Sequence, residues 1–271
     1  MPLPAPGPDR TCLITGASSG IGAELARVLA RLGHGVTLVA RREERLRTLA
    51  ADLSTATGVR VEVVAADLAE PGARDEVVAE IGRRGLTVDV LVNNAGVSTV
   101  GPVHASHVEG EMAMIRINVE AVVHLCSALV PGMVERGRGA VLNVASVAAF
   151  LPLPGQVGYG ASKAFVLSYT QGMAQELRGT GVTATALCPG PVRTEFAAAA
   201  GLTEQQSSES LPEVMWVSAS EVAEQGVAGC RRGTVVVVPG TLNRVMAGVA
   251  LHSPRRLVLP LLARRHPALR G

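Results

Sequence analysis

Tyr159 and Lys163 bound the stretch Tyr159-Gly160-Ala161-Ser162-Lys163, and Ser146 stands thirteen positions upstream of the tyrosine. On a helix, residues four apart share a face, so the phenol and the ammonium point the same way. A phenol in water titrates near ~10. A cation held close favours the phenolate and lowers that value, which moves Tyr159 toward proton exchange with an alcohol or ketone oxygen. Ser146 supplies a second hydrogen bond to the same oxygen. Tyr and Lys four apart are also common on ordinary helix surfaces, so the pair acquires meaning from what positions it.

A glycine-rich loop stands at the other end of the chain. Thr15-Gly16-Ala17-Ser18-Ser19-Gly20-Ile21-Gly22 follows an apolar run at 11–15 and opens a helical pattern at 20–32. Glycines allow the tight turn and the close approach of phosphates, while free N–H groups at the helix start attract anionic oxygens. Strand-to-helix turn chemistry alone would use such glycines too, but the β-α-β order that follows points to a dinucleotide. The second strand, 35–40, ends Ala40-Arg41-Arg42. An acid there would meet a ribose 2′-hydroxyl; arginines instead accommodate a 2′-phosphate. The sequence therefore favours NADP over NAD, the alternative being that Arg41 and Arg42 are only the solvated start of the helix at 42–57. Asp67, with Leu68 beside it, closes the third strand and reads as an adenine contact or as a plain helix cap.

Strand-like runs at 11–15, 35–40, 59–66, 88–92, 140–144, 182–187 and 234–238 alternate with helical patterns. The latter cover 20–32, 42–57, 71–84, two stretches within 107–136 broken around Asn118, 159–178, and a short helix behind Ser218-x-x-Glu221, a capping box. This alternation predicts an α/β, doubly wound Rossmann fold: a single seven-stranded parallel sheet with helices on both faces. One catalytic domain is expected over 1–271, with a core of about 10–240, a lid at 190–215 and an extension at 241–271. Apolar residues make up 48% and aromatics number only six of 271, so the core is Val, Leu, Ile and Ala, as a sheet buried on both faces requires. The net charge of +2, with both signs interspersed through most of the chain, argues against a nucleic-acid binder. Cys12, Cys126, Cys188 and Cys230 lack metal-ligand spacing. Residues 1–9 lack a signal-peptide pattern, and no run reaches ~18 uninterrupted apolar residues; a cytoplasmic protein with reduced thiols is expected.

Taken together, Thr15–Gly22, Asp67, Asn93-Asn94-Ala95-Gly96, Asn118, Ser146, Tyr159 with Lys163, and Pro189-Gly190 resemble the short-chain dehydrogenase/reductase family over about 10–240. The resemblance implies that Asn94, Ala95 and Gly96 pass close to the adenosine ribose. It makes Asn118 the tetrad member that interrupts a helix and holds a water against Lys163. Lys163 would bind the nicotinamide ribose and tune Tyr159, while Val192 and Thr194, within the segment opened by Pro189 and Gly190, fix the carboxamide. Hydride would pass between nicotinamide and substrate carbon, with Tyr159 as general acid/base and Ser146 polarising the oxygen. No metal is required. A homodimer or homotetramer through the helices at 119–136 and 159–178 is also implied.

The segments 97–103, 147–157 and 190–215 should wall the substrate. The second carries no charge, which favours an apolar ketone or secondary alcohol; Arg193 and Glu204 are expected as solvated lid charges. The extension mixes apolar residues with arginines, and Pro254 and Pro260 favour packing or subunit contact over a membrane surface. Rival readings are a nucleotide-binding sensor or scaffold without turnover, and a membrane-peripheral reductase of lipid-derived carbonyls.

Overall fold

The computed structural model describes residues 3–196 and 213–265. Its framework is a seven-stranded parallel sheet in the order β3-β2-β1-β4-β5-β6-β7. The strands are β1 (Arg10–Thr15), β2 (Val36–Ala40), β3 (Val61–Ala65), β4 (Thr87–Asn93), β5 (Gly139–Val144), β6 (Val182–Leu187) and β7 (Val236–Val237). Leu13, Ile14, Leu91, Val92, Val141 and Leu187 on the central strands are fully buried. Each such side chain contributes roughly 1.5–3 kcal/mol on leaving water. That is why continuous apolar runs, rather than alternating ones, form this sheet.

Helices cover both faces. α1 (Gly20–Arg31) and α2 (Glu43–Thr57) share one core with α7 (Ala219–Arg231). On the other face lie α3 (Pro71–Arg83), α5 (Ala121–Glu135) and α6 (Val157–Glu176), and α4 (Val108–Ile115) packs against α6. The strand order reverses between β1 and β4, so their carboxyl ends open the crevice in which such sheets bind ligands. Ser218 caps α7, its hydroxyl accepting from the Glu221 amide at 3.1 Å, as the sequence predicts.

One region differs from the sequence expectation. The helices flanking Asn118 are not broken but joined by a π-helical turn, Arg116–Glu120, which inserts a residue without ending the helix. By length and apolarity the resulting 28-residue helix, Val108–Glu135, could cross a membrane. Here Met114, Ile117, Leu125 and Met133 are buried against the fold. The extension forms two helices, α8 (Thr241–His252) and α9 (Arg255–Arg265), with Pro260 inside the second. α8 buries Asn243 and Ala247. Most of the proposed lid, 197–212, including Glu204, lies outside the described residues.

Candidate dinucleotide and proton-transfer site

The glycine-rich loop is closed around its own backbone. Gly16 has φ 65°, and a Cβ there would lie 2.8 Å from Ala95 Cα. A Cβ on Gly22 would run into the Gly16 carbonyl oxygen. Thr15 Oγ1 accepts from the amides of Asn94 and Ala95, both at 3.0 Å, and Asn94 Nδ2 donates to Thr15 O at 3.0 Å. The segment after β4 is thereby stitched to the loop. Gly20 sits against Thr194, while Ile21 packs on the α1-side core. Ser19 precedes α1 and makes no side-chain bond back to it, so the helix start keeps N–H donors for phosphate. This cradle, which any Cβ would fill, fits a dinucleotide.

The two arginines after β2 take different places. Arg41 faces Asp67 at 3.8 Å, an exposed pair. Arg42 turns into the loop, donating to Ser18 Oγ at 3.1 Å and Ser19 Oγ at 2.8 Å, and its Nη1 reaches Glu195 at 2.7 Å. Asp67 also caps its own turn by accepting from Ala69 N at 3.0 Å, so the helix-cap alternative is present beside the arginine contact. Leu68 is buried, and its carbonyl accepts from Arg74 Nε at 2.8 Å. Sequence reasoning missed Arg74. It sits with Val77 and Ile81 on the buried stripe of α3 and donates to Arg116 O in the π turn, tying the Asp67 loop to the Asn118 turn.

Around Tyr159 three elements converge. A buried polar ladder holds α6 to the sheet: Asn93 Nδ2 donates to Asn143 Oδ1, and Asn143 Nδ2 to Thr170 Oγ1, both at 2.9 Å. Lys163 Nζ lies 5.9 Å from the Tyr159 ring centroid and donates to Val144 O at 2.8 Å. A Cβ on Gly96 would lie 3.3 Å from both Asn118 Oδ1 and Lys163 Nζ, so those two groups flank Gly96. Asn118 is fully buried and spends its amide on protein: Oδ1 accepts from Val97 N at 3.0 Å, and Nδ2 donates to Val97 O and Ser162 Oγ. Its side chain therefore pins the 94–97 segment to α6. Ser146 Oγ accepts from Ala148 N at 3.1 Å at the end of β5.

The electrostatics correct one expectation. Burial pushes the Tyr159 phenol up, not down, and the Ser146 hydroxyl beside it only partly opposes the shift. Burial also pushes the Lys163 ammonium down to about 8, with the Cys188 thiol weakly opposing. The ammonium is bonded to Val144 O and stands off the ring, so desolvation of both groups outweighs their attraction.

Beyond β6, Val147 N donates to Pro189 O at 2.9 Å, and Val192 pairs with Val217 in an isolated bridge. Thr194 Oγ1 accepts from Phe196 N at 3.3 Å, and the Phe196 ring lies 5.7 Å from that of Tyr159. Arg193 pairs with Glu213 at 2.6 Å and covers the Trp216 ring at 4.9 Å. A Cβ on Gly190 would collide with the Asn243 amide, whose Nδ2 donates to Met215 O at 2.9 Å. Asn243 thus braces both ends of the lid. Sequence reasoning missed Asn243, because its partners are remote in the chain.

A family profile described as short chain dehydrogenase matches residues 10–205. The chain belongs to the short-chain dehydrogenase/reductase family and is an NAD(P)-dependent oxidoreductase acting on CH–OH groups. It is 34% identical to an NADP-dependent 3-hydroxy acid dehydrogenase of Salmonella typhi, over 89% of this chain and 98% of the relative. A short-chain dehydrogenase from Sphingobium yanoikuyae, solved in complex with NADPH, is 36% identical with TM-score 0.78, covering 91% of this chain and 97% of that one. A bulky-bulky ketone specific alcohol dehydrogenase from Comamonas testosteroni is 31% identical with TM-score 0.74, over 94% and 92%.

Proposed function

We propose that the protein uses NADP(H) to interconvert an apolar ketone and its secondary alcohol. The observation that carries this reading is the meeting of Ser146, Tyr159 and Lys163 beside the loop that Gly16, Gly20 and Gly22 close. Bound NADP(H) supplies the hydride chemistry. The loop amides and the start of α1 hold phosphates; Ser18, Arg41 and Arg42 hold the 2′-phosphate; Asn94, Ala95 and Gly96 line the ribose; Val192 and Thr194 orient the carboxamide. Tyr159, kept protonated by burial, gives its proton to the substrate oxygen, and Ser146 donates a second hydrogen bond to that oxygen as charge develops. Lys163 orients the ribose hydroxyl through which the proton is replaced, and Asn118 fixes the backbone around it.

An apolar substrate is supported by the uncharged wall at 147–157 and by Arg193, whose charge is already matched by Glu213. A carboxylate substrate would want an unpaired cation there. The Comamonas enzyme's stated preference for bulky ketones agrees with this, whereas the Salmonella relative acts on a hydroxy acid. The α5–α6 face, with Val130, Pro131, Phe165 and Tyr169 along a groove, supports a homodimer or homotetramer. Four free, buried thiols fit a reducing, cytoplasmic setting.

The test is NADPH oxidation across a panel of bulky ketones and keto acids. Turnover of the ketones, lost by roughly a hundredfold or more in Tyr159→Phe, supports the reading. Cofactor binding without turnover of any carbonyl overturns it in favour of a sensor, and a preference for keto acids overturns the apolar assignment.

A further inference from the structure

The extension carries a charge pattern unlike the rest of the chain. Residues 241–271 contain six arginines and no aspartate, glutamate or lysine, while the whole chain is only +2. The first 240 residues therefore carry a formal −4, and the extension is the basic pole of the molecule. On α8, Leu242, Val245, Met246 and Val249 fall at i, i+3, i+4 and i+7, the spacing of one helical stripe. The core does not cover this stripe: Val245 is 56% exposed, Met246 47% and Val249 53%. Arg244, His252, Arg255 and Arg256 are exposed on the same two helices.

Three occupants could cover an apolar stripe bordered by arginines. A second copy docking isologously would bring two basic poles together, and no acid in the extension offsets the repulsion. A protein partner would need acidic side chains interleaved with apolar ones. An anionic bilayer offers both features at once: acyl chains for the stripe and headgroup charge for the guanidiniums, while the negative body is held away.

We propose that α8 and α9 form a docking surface for an anionic lipid bilayer. Asn243 anchors this surface to the lid, through Met215 O and its packing on Gly190. Docking therefore sets the mouth of the substrate site against the membrane, where apolar carbonyl compounds accumulate. The last point rests on the proposed function; the docking itself does not.

The experiment is co-sedimentation of the full chain with phosphatidylcholine vesicles, with and without phosphatidylglycerol, at low and high salt. The protein is expected to pellet with the anionic vesicles only, and less at high salt. Each arginine near an anionic surface is worth roughly fivefold in partition, so Arg255→Glu with Arg256→Glu lowers binding by about 25-fold or more. Val245→Asp with Val249→Asp also releases the protein, while NADPH affinity stays at the wild-type value and shows the fold intact. Failure to pellet with either vesicle overturns the proposal. So does equal binding to neutral vesicles without salt dependence. Loss of an oligomer in the Val245/Val249 variant, with vesicle binding unchanged, would make the stripe a subunit interface instead.

Discussion

Arg42 and Glu195, 153 positions apart, meet with Nη1 and Oε2 at 2.7 Å, and Arg45 grips the same carboxylate at 2.8 Å. The glutamate beside Thr194 thus sits on a guanidinium that also bonds Ser18 and Ser19. Arg42, and then Arg45, hold the Glu195 carboxyl below the usual range, so it stays ionised in mild acid. A carboxylate there opposes a phosphate for the same arginine. Glu195→Gln is expected to tighten NADPH by roughly twofold to fivefold, the modest scale of a screened surface pair, and to leave NADH unchanged. Fluorescence titration with both cofactors checks this; equal gains would detach Glu195 from the 2′-phosphate.

Arg41 supplies a complementary test. Its only ion partner among the described residues is Asp67, at 3.8 Å and largely exposed, so little holds it from a bound anion. Arg41→Ala should weaken NADPH much more than NADH. Equal losses would return Arg41 to the role of a solvated helix start.

Lys163 predicts opposite trends for activity and stability. Its folded pKa is pushed down to about 8 by burial. Carbonyl reduction that needs the ammonium should fall as pH rises through that value, and a flat kcat/KM profile across it would remove Lys163 from the proton path. For stability the sign reverses. Between about 8 and the ordinary value near ~10.4, the unfolded chain binds the proton and the folded one does not, so stability rises with pH. Lys163→Met should therefore be least costly, or stabilising, below that window and lose ground through it, as denaturant melts at the two ends would show.

Asn243 and Gly190 should couple. Gly190→Ala forces a methyl into the Asn243 amide, and overpacking of this kind typically costs about 1–3 kcal/mol. Asn243→Ala alone leaves Met215 O without its donor. Together the two changes should cost less than their sum, since Asn243→Ala removes the amide that the new methyl on residue 190 would strike. Additive melting shifts would show that the contact does not brace the lid.

Asn118→Asp removes two donated hydrogen bonds and sets a carboxylate against Val97 O. A loss of roughly 1–3 kcal/mol is expected for the buried groups left unpaired, with kcat falling as the 94–97 segment shifts. Wild-type stability in this variant would mean that the amide does not pin the segment.

The chain's local chemistry made much of this protein legible before any coordinates. The apolar runs define the strands to within a residue or two, because a parallel strand buried on both faces must be continuously apolar. Tyr159 and Lys163 declare their shared face by spacing alone, and Thr15–Gly22 declares a loop that no Cβ could enter. Packing decided the rest. Asn118 reads as a helix breaker, yet a π turn absorbs it and buries its amide on Val97 and Ser162. Glu195, Arg74 and Asn243 lack a local signature of their role, since their partners come from segments remote in the chain. The direction of the Tyr159 shift, upward by burial, is also a product of packing. Spacing reports which charges are neighbours, but only the folded structure reports how much water each has lost, and here that loss outweighs the attraction.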